Sequence, residues 1–299
     1  MTRSAKPPTI RLARPDDYEA LNRIAALSDV QIEAPEGPGR PYVDRLFADG
    51  TVLIAERDGL AVGFAAAVWI RPAPGTTTVR RSHVSDLFVD PAAQGSGVGG
   101  QHYRALLEAH REERWSVSSS GDPRAQALYA KGGMTMAWPL YYLERPSGRA
   151  DQPLPRVRAT VRPLGWAEAT AATAEISGFD RTLDIRTWSS RAGATPFSVD
   201  LDGSRALVGF ARDHSHRPGR RLDAAFIDRD ADPQAALVAA LASDALAGGG
   251  ALGLCLGAPH PALWTLLGSG FHIAELDTWF ETPGGLMDPA RVVPDPSVG

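Results

Sequence analysis

Polar and apolar positions alternate along Ile10-Arg11-Leu12-Ala13-Arg14-Pro15, then give way to a helical spacing through Leu21 and Ile24. The same succession returns in Val157-Arg158-Ala159-Thr160-Val161-Arg162-Pro163, followed by a helical stretch through Glu168 and Ile176. A period of two predicts a strand and a period of 3.6 a helix, so each run reads as strand, then helix. Asp58-Gly59-Leu60-Ala61-Val62-Gly63-Phe64-Ala65 likewise recurs, two residues longer in the turn, as Asp202-Gly203-Ser204-Arg205-Ala206-Leu207-Val208-Gly209-Phe210-Ala211. Both read as strand, Asp-Gly hairpin turn, strand. A third pairing sets Ala127–Met134 against Trp264–Phe271, each a helix end, a glycine and a strand. Three pairings in one order, about 146–148 residues apart early and about 137 late, predict an internal duplication whose second copy has lost residues.

Arg145 to Pro155 is rich in proline and polar residues, a linker composition. The expected division is therefore a first domain over 1–147, a linker over 148–155 and a second domain over 156–299. The second ends in a proline-rich extended tail from Pro289 to Gly299. Strands joined by hairpins and interspersed with a few helices place each half in the α+β class (α/β mixed). Each is expected to be a mainly antiparallel central sheet flanked by helices.

Composition narrows the function classes. A chain of 299 residues suits two domains, and a hydrophobic fraction of 43% with 22% charged residues is ordinary for a globular protein. A net charge of -4 gives no reason to expect a nucleic-acid or membrane partner, and Arg80-Arg81 and Arg220-Arg221 read as solvated strand flanks. Cys255 is the only cysteine and sits among apolar neighbours, so it reads as a buried structural thiol. His214, His216, His260 and His272 show no compact ligand spacing, so no metal is expected. Without a long apolar run or a secretory leader in residues 1–10, the cytoplasm is the expected compartment.

The chemistry concentrates in residues 83–100. Residues 83–89 read as a strand, Asp90-Pro91 ends it, and Gln94-Gly95-Ser96-Gly97-Val98-Gly99-Gly100 forms a glycine-rich turn into a helix from about Val98 to Glu113. Strand, glycine loop and helix N-terminus make a phosphate-binding arrangement, because successive N–H groups and the helix dipole point at the anion. Glycines allow positive φ and close approach of the backbone. No Lys-Ser/Thr pair follows, so this is not a Walker loop, and it does not match the dinucleotide fingerprint.

The segment resembles the GCN5-related N-acetyltransferase (GNAT) superfamily, whose pyrophosphate loop has the form Gln/Arg-x-x-Gly-x-Gly/Ala after a strand ending Val-x-Pro. Gln94-Gly95-Ser96-Gly97-Val98-Gly99 after Val89-Asp90-Pro91 fits that pattern. The family's downstream Asn-x-x-Ala-x-x-Leu-Tyr is matched by Asp122-Pro123-Arg124-Ala125-Gln126-Ala127-Leu128-Tyr129, with Asp122 for asparagine and Met134 where phenylalanine is common.

The resemblance implies tandem acyl-CoA N-acyltransferase domains and acetyl-CoA as co-substrate. Its acceptor is the primary amine of a small molecule or peptide, attacking directly in a ternary complex; a homodimer is compatible with it. It implies cofactor contacts from Leu87, Phe88 and Val89, from Gln94, Gly95, Ser96, Gly97, Val98, Gly99 and Gly100, and from Asp122 and Ala125. The Leu87 amide would polarise the acyl carbonyl. Tyr129 falls at the position of the acid that returns a proton to the departing thiolate. His83 falls where some relatives place a base, with Asp86 or a water chain as alternatives. By alternation His83, Ser85, Leu87 and Val89 share one face. Glu33 and Glu36, within Gln31 to Arg40, are expected to border the acceptor site.

The second copy departs from this pattern. After Ala224-Ala225-Phe226-Ile227 comes Asp228-Arg229-Asp230-Ala231-Asp232-Pro233, with three carboxylates and no glycine, and Leu266 stands against Tyr129. Carboxylates there repel a pyrophosphate, so the copy is expected to keep the fold and lose the cofactor site. Other readings are a non-catalytic acyl-CoA sensor and transfer of a longer acyl group such as succinyl.

Overall fold

A computed structural model describes residues 7–28, 39–110, 114–148, 152–214, 217–243, 246 and 250–299. The first half runs β1 (Thr9–Leu12), α1 (Tyr18–Ala26), α2 (Gly39–Asp49), β2 (Gly50–Arg57), β3 (Leu60–Pro72), β4 (Arg81–Val89), α3 (Val98–Ala109), β5 (Arg114–Ser119), α4 (Pro123–Lys131) and β6 (Thr135–Arg145). The second runs β7 (Thr160–Pro163), α5 (Trp166–Ser177), β8 (Phe179–Asp180), α6 (Thr182–Ser189), β9 (Thr195–Leu201), β10 (Ser204–Asp213), β11 (Gly219–Ile227), α7 (Pro233–Ala242), β12 (Ala251–Gly257), α8 (Leu263–Gly268), β13 (His272–Glu281) and β14 (Val292–Val293). No helix among the described residues is long and apolar enough to cross a membrane.

The duplication is visible in backbone detail. Among the described residues the only non-glycines with positive φ are Asp58 (52°) and Asp202 (50°), each followed by a positive-φ glycine in the corresponding hairpin turn. Met134 N–H donates to Tyr129 O at 3.1 Å, and Phe271 N–H donates to Leu266 O at the same distance. That equivalence seats Leu266 at the place of Tyr129.

The sheets of the two halves merge into one, in the order β1-β2-β3-β4-β5-β13-β6-β12-β11-β10-β9-β7, with β8 on β3 and β14 on β11. Among the described residues, only β4–β5 and β11–β12 are parallel. At the centre, β6 and β13 cross over between the halves. β13 pairs with β5 and β6 pairs with β12, while β6 and β13 pair with each other. Each half thus lends a strand to the other about a pseudo-two-fold axis.

Cores lie on both faces. α3 and α4 cover one face of the first half and bury Val84, Tyr103, Leu106 and Tyr129 together with Phe280 from β13. On the opposite face a single cluster joins Tyr42, Leu46 and Phe64 to Trp188, Phe210 and Phe226. There α2 meets α6 through a buried ion pair, Arg45 Nε to Asp184 Oδ1 at 3.1 Å, and Asp184 also takes Arg181 at 2.9 Å.

The tail expected to be extended is packed across both halves. Arg291 donates to Asp228 O, and Val292–Val293 pair with Phe226 and Ala225. Asp295 accepts from Trp188 Nε1 at 2.9 Å. Its proline-rich composition keeps it extended, but its apolar residues find sheet edge and core to cover.

Candidate active site

β4 and β5 pair in parallel over only four positions, Arg81–Val84 against Arg114–Val117. β4 continues to Val89 while β5 turns to pair with β13, so a gap opens beside the second half of β4. Asp90 N–H donates to Val62 O at 2.9 Å, which fixes the alternation along β3–β4. Phe88 therefore spends its main-chain groups on Phe64, while Leu87 and Val89 turn theirs towards the gap. The expectation of a main-chain cofactor contact from Phe88 is corrected accordingly. Its ring packs on Phe64, with centroids 5.3 Å apart.

The alternation read from the sequence also breaks. The β3–β4 register slips between Ala66 and Ala67, which pair with Asp86 and Val84, leaving Ser85 as a bulge. Val84 and Leu87 consequently face α3, and Asp86 faces α2 with His83 and Phe88. His83 and Leu87 do not share a face.

At the end of β4, Asp90 accepts from Ala92 N–H, and the glycine loop leads into α3. Gly95 and Gly97 hold φ of 73° and 86°, a left-handed backbone that demands glycine although no side chain crowds either position. Gly97 is the N-cap of α3 and supplies no side-chain cap. Gln101 N–H is the one that takes Gly97 O, so the amides of Val98, Gly99 and Gly100 are the helix's orphan donors. The Val98 side chain is buried, leaving only its backbone for a ligand. Gln94 Nε2 donates to Val89 O, and Arg57 donates to Ser96 Oγ at 2.9 Å, bringing a guanidinium to the loop that no motif announced.

α4 lies beside α3, with Leu128 against Gly100. Asp122 caps α4, accepting from Arg124 N–H at 2.8 Å and pairing with its guanidinium. Ala125 packs into the core beneath. Tyr129 is almost fully buried, edge-on to Tyr103 at 5.4 Å and 6.0 Å from Phe280 of the exchanged strand. Burial pushes its phenol well above the ordinary range, and the charges of Tyr103 and Asp86 add to this.

The two candidate bases differ in environment. His83 is fully buried and stacked on Trp279 at 5.3 Å. Its Nε2 lies 2.9 Å from Pro296 O and must donate, so Nδ1 accepts from Ser116 Oγ at 2.9 Å. Burial pulls its pKa down to about 4, and both nitrogens are committed. Asp86 is partly exposed and receives the Tyr42 hydroxyl on Oδ2 at 2.7 Å. Burial pushes its carboxyl up to about 6, against the lowering effect of that hydrogen bond. Glu33 and Glu36 lie outside the described residues, as does His216.

The second half closes every counterpart of this site. Asp232 caps α7 and accepts from Gln234 and Ala235 N–H, so a carboxylate already serves the orphan donors. β14 lies along β11 where the first half has its gap, and Ile227 N–H donates to Arg291 O. Among the described residues, no cluster of histidine, cysteine, aspartate or glutamate is arranged to hold a metal ion.

Sequence reasoning missed Tyr42 and the exchanged residues Trp279 and Phe280. Tyr42 is 44 residues from Asp86 and carries no motif. The contacts of Trp279 and Phe280 depend on a strand crossing that local patterns do not encode.

Known proteins agree with this geometry. Residues 21–134 match the sequence model of the acetyltransferase (GNAT) family. A protein of Pyrococcus horikoshii, solved as a candidate acetyltransferase, superposes with a TM-score of 0.70 at 17% identity, covering 98% of this chain and 96% of that one. A GCN5-related N-acetyltransferase from Anabaena variabilis gives 0.64 at 12%, covering 92% and 72%. A tandem GNAT protein from the clavulanic acid biosynthesis pathway gives 0.63 at 14%, covering 94% and 100%. Among curated proteins none matches the sequence. Residues 21–134 thus match the acetyltransferase (GNAT) family, and the two halves together share the fold of a tandem GNAT protein.

Proposed function

We propose that the first half transfers the acetyl group of acetyl-CoA to a primary amine of a small molecule or peptide by direct attack in a ternary complex. One observation carries the reading: two copies of one fold differ in that the first keeps an uncapped glycine N-terminus beside an unfilled gap. The second fills both with Asp232 and β14. The backbone of residues 95–100 and the main chain of Leu87 and Val89 would hold the cofactor, which supplies a thioester-activated acyl carbonyl when bound. Leu87 N–H is placed to polarise a carbonyl in the gap.

Asp86 and Tyr129 form an acid–base pair with opposed tasks. A carboxyl near 6 is ionised at neutral pH and accepts the proton of an incoming ammonium. A phenol raised above its ordinary value holds a proton to return to the leaving sulfur. We infer Asp86 rather than His83 as the base, because both nitrogens of His83 are committed. Calorimetry with acetyl-CoA, followed by turnover with a panel of primary amines for the wild type and Tyr129→Phe, tests the proposal. Absence of acetyl-CoA binding refutes it, and binding without turnover of any amine supports a sensor instead. A preference for succinyl-CoA over acetyl-CoA would revise the donor.

A further inference from the structure

We propose that Tyr42 is a positioning residue that holds Asp86 for proton abstraction, an inference that rests on Asp86 being the base. Tyr42 is 1% exposed, and its ring is fixed in the core shared by both halves. Its helix is pinned from behind, where Arg45 donates to Asp49 O and pairs with Asp184 of α6. From that fixed base the phenol reaches Asp86 Oδ2 at 2.7 Å. Occupying Oδ2 leaves Oδ1 to meet an ammonium, and it steadies the ionised carboxylate.

The other groups around Asp86 do not replace this contact. From α4 the phenol of Tyr129 feels the Asp86 charge, and the tail's Asp295 acts on Tyr42 with the same sign as Asp86. His83, on the same face of β4, is neutral and committed elsewhere. No cation among the described residues pairs with Asp86. Tyr42's own proton is held firmly, because burial and Asp86 both raise its pKa. It remains a donor throughout the working range.

The test uses the full chain labelled with 13C-carboxyl aspartate, with the Asp86 resonance assigned by its loss in Asp86→Asn. In Tyr42→Phe the Asp86 titration midpoint is expected to rise by about one pH unit or more. With acetyl-CoA and the fastest amine of the panel, the variant's rate should fall about fivefold or more at pH 6 and recover above pH 8, with KM for acetyl-CoA unchanged. Fluorotyrosine at position 42 keeps the shape and donates more strongly, so it should move the midpoint down and serves where Tyr42→Phe does not fold. An unmoved midpoint, or a rate deficit equal at every pH, overturns the role of Tyr42. Asp86→Asn with an unaltered pH–rate profile instead overturns Asp86 as the base, whatever Tyr42 does.

Discussion

Replacing Gly97 by aspartate would install on α3 the charge that the second half carries at the head of α7. The fold should tolerate it. The only atom near a Cβ at Gly97 is Gln101 Nε2, at 3.9 Å, so space is not the obstacle. The φ of 86° costs an ordinary L-residue about 1–2 kcal/mol and aspartate less. A carboxylate at a helix N-terminus returns about 0.3–1 kcal/mol.

Binding is another matter. Two like unit charges about 5 Å apart repel by about 3 kcal/mol at an effective dielectric near 20, and by under 1 kcal/mol in bulk water. At this surface an intermediate value follows, so acetyl-CoA affinity should drop roughly 10- to 100-fold. Gly97→Asn is the matched control, because asparagine has the same shape, tolerates a left-handed backbone and carries no charge. Calorimetry with CoA on both variants isolates the electrostatic part, and raising the salt should shrink the ratio between them. Equal affinities for the Asp and Asn variants at low salt would show that the diphosphate does not sit on α3.

Three further outcomes follow from the same geometry. Tyr129→Phe keeps the ring contacts with Tyr103 and Phe280, so its melting temperature should hold while kcat falls about 100-fold or more, as steady-state kinetics would show. For stability, the Asp86 pKa raised from 3.8 to about 6 means the native state binds a proton that the unfolded chain has lost. Stability contributed by this group is therefore lost as pH rises from about 4 through about 6. Asp86→Asn should melt above the wild type at pH 7 and level with it at pH 4. Asp184→Ala strands the buried Arg45 and Arg181, and urea unfolding should show a loss of about 3–5 kcal/mol.

Local chemistry carried much of this protein into view. Asp58-Gly59 and Asp202-Gly203 announced their hairpins because those turns need positive φ, and the run of glycines after Pro91 announced a positive-φ loop leading into a helix. Alternation failed at Ser85, since a bulge carries no distinguishing composition and yet turns every later side chain over. The place of Tyr129 on a helix packed beside α3 was legible from its spacing to the loop. The state of His83 was not, because its ring is satisfied by Ser116 and by Pro296, 213 residues away. The tail's prolines were read correctly as unhelical, but nothing local says that Val292 and Val293 close a sheet edge.

The crossing of β6 and β13 bears on how the chain is born. Val117 must wait for Phe280, roughly 160 residues later in synthesis, before its edge of the sheet is covered. A nascent first half leaving the ribosome exposes the edges of β5 and β6 throughout that delay, the condition under which chains misassociate. Folding should be slow and concentration-sensitive, and two chains could trade these strands to give an entangled pair. Gene fragments ending near residue 147 would meet the same hazard permanently, so the shortest expressible unit of this chain is expected to extend past β13.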